Sequence, residues 1–136
     1  MTGLPADDVS ADVRHTILVV DDAEDCIATV GLALQALPGV VIRPALSAEA
    51  ALADLESDTF SAVITDVHLP EMTGLELVAR IRETPRFRSL PILVVSADAD
   101  PTTPARALGL GANAYFAKPF SPSAMRKKLE DLIHAS

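Results

Sequence analysis

Cysteine is almost missing from this chain, with one in 136 residues. An internal disulfide is therefore excluded, and nothing calls for an oxidising compartment, so a cytoplasmic location is expected. Long apolar runs are absent too. Although 49% of the residues are hydrophobic, no stretch approaches the roughly 18 needed to span a bilayer. Met1 to His15 is polar and acidic and carries Pro5, so it lacks the basic start and apolar centre of a signal peptide. It reads as a flexible N-terminal arm, 1–14, ahead of one domain over 15–136. Basic residues are scarce early on: residues 1–79 hold 2 basic and 14 acidic side chains, whereas 80–136 hold 9 and 5. The net charge of -8 argues against nucleic-acid binding, since phosphate neutralisation supplies most of that affinity. A basic half beside an acidic pocket suits the steering of a protein partner. No glycine-rich phosphate loop follows Val20, so a nucleotide is not the expected ligand.

Strand-like and helix-like segments are present instead, alternating five times. Thr16 to Val20, Val40 to Arg43, Ser61 to Asp66, Pro91 to Val95 and Ala114 to Ala117 are short apolar runs, as expected of strands covered on both faces. Between them, apolar residues return at helical spacing: Ala23, Ile27, Val30, Leu34 and Leu37; then Ala48, Ala51, Leu52 and Leu55 behind a Ser47 cap. Thr73 and Glu76 form a capping box ahead of Leu75, Val78 and Ile81. A short helix is expected after Pro101 and Pro104, closing near Gly109 to Gly111. The last begins at Ser121-Pro122 and buries Met125, Leu129, Leu132 and Ile133. Cys26 falls on the expected inner face of the first helix and reads as a small core residue. Right-handed crossovers make this a (βα)5 α/β fold, a doubly wound five-stranded parallel sheet.

Two of the strand runs end in aspartate, Asp21-Asp22 and Asp66. Strand ends carry the chemistry of open α/β sheets, and the flavodoxin-like order 2-1-3-4-5 brings these carboxylates together at its switch point. Clustered negative charges repel unless a cation sits among them. Oxygen ligands with room for water suit Mg²⁺. The competing reading is that each aspartate caps a helix or opens a turn. Ser96 and Lys118 end the fourth and fifth strands on the same edge, and a hydroxyl and an ammonium facing a carboxylate-bound cation suit a phosphoryl group. Their plainer readings are a satisfied strand-end amide and a surface lysine. With no nucleotide loop, the phosphoryl acceptor is an aspartate itself, and Asp66 is central enough to be that group.

These residues resemble the receiver domain of two-component response regulators over about residues 15 to 134. The resemblance rests on Asp21-Asp22, on Asp66-Val-His-Leu-Pro-Glu-Met-Thr-Gly-Leu-Glu76, on Ser96-Ala97, on Gly111-Ala112 before Tyr115, and on Lys118-Pro119-Phe120. It implies that Asp66 accepts a phosphoryl group from a sensor histidine kinase or a phosphotransfer protein of a phosphorelay. It further implies that Asp22, Asp66 and the main-chain carbonyl of His68 hold Mg²⁺ (or Mn²⁺), with Asp21 supporting through water. Lys118 would pair with the phosphoryl group and Ser96 would donate its hydroxyl. Lys118-Pro119 matches the family's cis peptide, and Tyr115 matches an aromatic switch position, though packing explains it equally well. His68 and Asp98, each two residues past a site residue, are expected to tune hydrolysis by gating water, as a pair when the imidazole is protonated.

No output domain is evident in the sequence, so the signal is expected to leave by surface contact. The face of the fourth helix, fifth strand and fifth helix, with Arg106, Tyr115, Arg126 and Lys127, is the expected docking surface. Asn113 disfavours the acidic dimer contact of DNA-binding relatives, and a monomer or weak dimer is expected. Beyond slow self-dephosphorylation no enzymatic turnover is implied. Two alternatives stay open: an aspartate-based Mg²⁺-dependent phosphatase, which wants a carboxylate where His68 stands, and a flavin protein, which the acidic Asp21 to Asp25 loop opposes.

Overall fold

The computed structural model describes residues 14–134, so the expected N-terminal arm lies almost wholly outside the described residues. Five strands, β1 (His15–Val20), β2 (Val40–Ala45), β3 (Ala62–Asp66), β4 (Ile92–Ser96) and β5 (Ala114–Ala117), alternate with five helices. The helices are α1 (Glu24–Leu34), α2 (Ala48–Ser57), α3 (Gly74–Glu83), α4 (Thr103–Gly109) and α5 (Pro122–His134). Every strand pair is parallel and the order is β2-β1-β3-β4-β5. That is the doubly wound, flavodoxin-like order expected.

Period-two alternation divides the strand residues between two layers. Leu18, Val20, Val63 and Val94 pack with Leu55, Leu77, Val78, Ile81 and Ala107 of α2, α3 and α4. Ile17, Val19, Ile64, Leu93 and Val95 pack on the other face with Val30 and Leu34 of α1 and Met125 and Leu129 of α5. Because both faces are covered, the strands read as unbroken apolar runs. Helix starts follow local chemistry: Ser47 Oγ accepts from Ala50 N at 3.0 Å, and Ser121 Oγ accepts from Ala124 N at 3.2 Å.

Three of the differences from the expected reading go beyond a shifted end residue. β2 continues through Pro44 to Ala45, with Pro44 opposite Val19. An edge strand tolerates proline because one side of its ladder has no partner. The loop before β4 contains a 3-10 turn, Pro85–Phe87, with proline at its first position, where the missing N–H costs nothing. Ala23 lies outside α1 as its extended, exposed cap residue rather than inward.

Candidate functional site

Strand register brings the chemistry to one edge. Val20 lies opposite Thr65, Asp66 opposite Val95, and Ser96 opposite Ala117. The residues following β1 and β5, Asp21 and Lys118, therefore flank Asp66 and Ser96 at the C-terminal ends of four adjacent strands.

Lys118 is the centre of this edge. Its Nζ donates to Asp21 Oδ2 at 3.2 Å, to Asp66 Oδ2 at 3.4 Å and to Cys26 Sγ at 3.4 Å. Burial is the largest single influence on the ammonium and pulls its pKa down. The charges of Asp66 and Asp21, with hydrogen bonds from Lys118 to Asp21 and Cys26, together outweigh it and hold the group above the ordinary lysine value. Lys118 is therefore a cation at any physiological pH, and its peptide bond to Pro119 is cis.

Asp66 is held from both sides. Oδ1 accepts from Val67 N at 2.7 Å and His68 N at 3.3 Å, while Oδ2 faces Lys118. Gly74 lets the start of α3 press against this residue: its N–H donates to Val67 O at 2.9 Å, and a Cβ would collide with the Asp66 carbonyl oxygen. In the intervening loop Glu71 adopts φ 65°, a left-handed conformation costing a non-glycine residue about 1–2 kcal/mol. The capping box closes the loop, with Glu76 N to Thr73 Oγ1 at 3.2 Å and Thr73 N to Glu76 Oε1 at 2.9 Å.

The three aspartates divide their work. Asp21 is buried, with Oδ1 accepting from Ala23 N at 2.9 Å and Oδ2 occupied by Lys118. Asp22 is exposed, and among the described residues no hydrogen bond or ion pair engages its carboxylate. No group of three or more His, Cys, Asp or Glu side chains among the described residues is arranged to hold a metal. The cluster is thus narrower than three converging carboxylates. The donors left for a cation are the Asp22 and Asp66 carboxylates with nearby main-chain carbonyls. All are oxygens, few in number, and Asp22 is exposed, which fits a small hard ion that keeps much of its hydration.

Ser96 is fully buried, and its Oγ accepts from Asp98 N at 3.0 Å, the strand-end role anticipated as its plainer reading. That bond uses a lone pair and leaves the hydroxyl hydrogen available. His68 and Asp98 do meet, Nε2 to Oδ2 at 3.5 Å, with His68 65% exposed and Asp98 20%. Tyr115 is half-buried on edge strand β5 and packs against the α2, α3 and α4 layer.

Two expectations are corrected. Cys26 is not a core residue: it is half-buried and turned toward Lys118, because α1 packs beside α5 and so faces the chain leaving β5. Arg126 does not join the α4, β5 and α5 face. It is half-buried and donates to Ala33 O of α1 at 3.0 Å, whereas Lys127 is exposed and lies 3.8 Å from Asp131. Among the described residues no helix is long and apolar enough to cross a membrane.

Comparison with known proteins agrees with this geometry. The model of the response regulator receiver domain matches residues 17–130. The "Gliding motility regulatory protein" of Myxococcus xanthus is 32% identical over 114 residues, covering 84% of this chain and 14% of that protein. The "Chemotaxis protein CheY homolog" of Campylobacter jejuni is 36% identical over 78 residues, 57% of this chain and 60% of that protein. The match thus spans less than two thirds of the length of each of these relatives. A crystal structure of a putative response regulator from Chloroflexus aurantiacus superimposes with a TM-score of 0.83 at 34% identity, covering 89% of this chain and 98% of that one.

Proposed function

Since the chain belongs to the response regulator receiver domain family, we propose that it is a phosphorylation-dependent signalling switch whose phosphoryl acceptor is Asp66. The observation that carries this reading is the Lys118 ammonium set between Asp21 and Asp66 at 3.2 and 3.4 Å. A cation held beside one carboxylate oxygen, with the other oxygen on two backbone amides, offers preformed charge stabilisation where phosphoryl oxygens arrive.

The donor is a phosphohistidine on a sensor histidine kinase or phosphotransfer protein. An Asp66 oxygen attacks phosphorus, the new O–P bond forms as the histidine N–P bond breaks, and the imidazole leaves with the electron pair. Val67 N and His68 N orient the carboxylate, and Lys118 exchanges its Asp66 contact for a phosphoryl oxygen. Ser96 donates its hydroxyl to a second oxygen, retaining the bond from Asp98 N. Asp22, Asp66 and the His68 carbonyl would hold Mg²⁺ (or Mn²⁺), which would neutralise phosphoryl charge, and Asp21 would support that site through water while holding Lys118. His68 and Asp98 close the pocket mouth and set how readily water reaches the acyl phosphate. Movement of Ser96 toward phosphate makes room for Tyr115 to turn inward. The altered α4, β5 and α5 surface, bearing Arg106 and Lys127, then meets a downstream protein in the cytoplasm, with the chain a monomer or weak dimer.

Nothing favours the phosphatase alternative, since His68 stands where a second carboxylate is needed. Incubation with acetyl phosphate and Mg²⁺, followed by intact mass, tests the reading. One phosphate adduct is expected, absent in Asp66→Asn. Steady phosphate release without an adduct would instead establish turnover and remove the switch.

A further inference from the structure

Each of the three Lys118 N–H donors points to a different element: Asp21 after β1, Asp66 at the end of β3, and Cys26 in the first turn of α1. Two of these acceptors are carboxylates, and only one of the two has to be given up when a phosphoryl group arrives. The third is a thiol sulfur, a weak acceptor. Its place is nonetheless specific. Cys26 and Lys118 share one wall of a groove of about 540 Å³ between α1 and the start of α5, lined also by Leu32, Ala33, Pro119 and Phe120. Thr29 and Arg126 line the groove as well, but the Thr29 hydroxyl donates to Asp25 O at 2.9 Å, and Cys26 Sγ is the acceptor that Nζ engages on that side.

We propose that Cys26 is a positioning residue for phosphoryl transfer: its Sγ takes the outward N–H of Lys118, so that the ammonium pivots about Asp21 and α1 while exchanging Asp66 for a phosphoryl oxygen. This rests on Asp66 being the phosphoryl acceptor. Without the thiol, Nζ has one fixed partner instead of two, and its third donor turns to water in the groove. The ammonium then spends less time where the phosphoryl oxygens arrive, and a misplacement of about 1 Å is enough to slow a positioned reaction.

The test is the initial rate of Asp66 labelling by acetyl phosphate and Mg²⁺ in the full chain. Cys26→Val keeps the bulk and removes the acceptor, and a slowing of about fivefold is expected, the size of a modest hydrogen bond. Cys26→Ser restores an acceptor and should label within about twofold of the parent. In a Lys118→Ala background, Cys26→Val should cost nothing further, since the effect runs through the ammonium. Should Cys26→Val fail to fold, Cys26→Ala takes its place in the same comparison. Labelling of Cys26→Val at the parental rate overturns the proposal, as does Cys26→Ser as slow as Cys26→Val, or an undiminished effect without Lys118. A parent that takes no phosphate on Asp66 would instead overturn the functional reading itself.

Discussion

The two ends of the sheet each hold a partly buried cation, and they hold it in opposite ways. At the C-terminal end, Lys118 rests on two carboxylates and a thiol at 3.2 to 3.4 Å. At the N-terminal end, Arg82 of α3 donates to Gly111 O at 2.9 Å, Phe87 O at 2.8 Å and Asn113 Oδ1 at 3.1 Å. Asn113 Oδ1 also receives Ile92 N at 2.8 Å, so one guanidinium ties α3 to the turns entering β4 and β5. Burial lowers the Arg82 pKa, whereas neighbouring carboxylates raise that of Lys118. A planar fork on neutral carbonyls has a fixed geometry, while a compact ammonium among charges can change partners without leaving the cluster. One end is built to stay, the other to exchange.

That contrast is broken most sharply by removing each cation. Lys118→Ala should slow Asp66 labelling by on the order of a hundredfold, the usual cost of losing one charge-stabilising donor. Arg82→Met should leave labelling within about twofold and instead lower stability by about 2 kcal/mol through its unpaired acceptors. For a domain of this size that is a fall of roughly 8 °C in melting temperature, read by circular dichroism. If Arg82→Met slows labelling as much as Lys118→Ala, the division of labour between the ends is wrong.

The same contrast explains what could be read in advance. Ionisable residues at the ends of apolar strands, Asp21, Asp66 and Lys118, are visible because strand ends in a doubly wound sheet share an edge whatever the packing. The Thr73 and Glu76 box is visible because it is local. Arg82 was not legible, since its partners are mostly main-chain carbonyls 5 and 29 residues away, and carbonyls carry no residue signature. The one positional hint was Gly111, whose φ of +115° and close approach to the Arg82 side chain exclude a Cβ. Cys26 reads from sequence as a core residue because helical periodicity gives a face but not the neighbour that face meets. The place of Arg126 is illegible for the same reason: the rotation of α5 is set by its contact with α1, a tertiary fact.

The smallest effects concern the mouth of the pocket, which lies at the exchanging end yet is held like the static one. Asp98 Oδ1 accepts from Asp100 N at 2.9 Å, and Oδ2 accepts from Thr103 Oγ1 at 2.9 Å while facing His68. The bond from Asp100 N, then that from Thr103, holds the Asp98 carboxyl below its ordinary range; the backbone and hydroxyl of Thr102 do the same for Asp100. A folded-state pKa below the unfolded one means that the unfolded chain binds more protons across that window, so stability rises with pH through it. The contribution is complete above about pH 4, the unfolded value, and is lost as pH falls through the lower folded values. Melting temperature should therefore be level in this respect from pH 7 to 5 and decline below about pH 4, with amide exchange at the start of α4 rising first. Thr103→Val removes one of the bonds and should flatten part of that decline; an identical slope would show that the cap does not link α4 to acid. Because Asp98 also meets His68 across the mouth, Asp98→Ala and His68→Ala should each change the dephosphorylation rate of labelled protein by roughly two- to fivefold, as loss of one weak contact would. Rates equal to the parent's in both would leave the pair a surface contact with no part in water access.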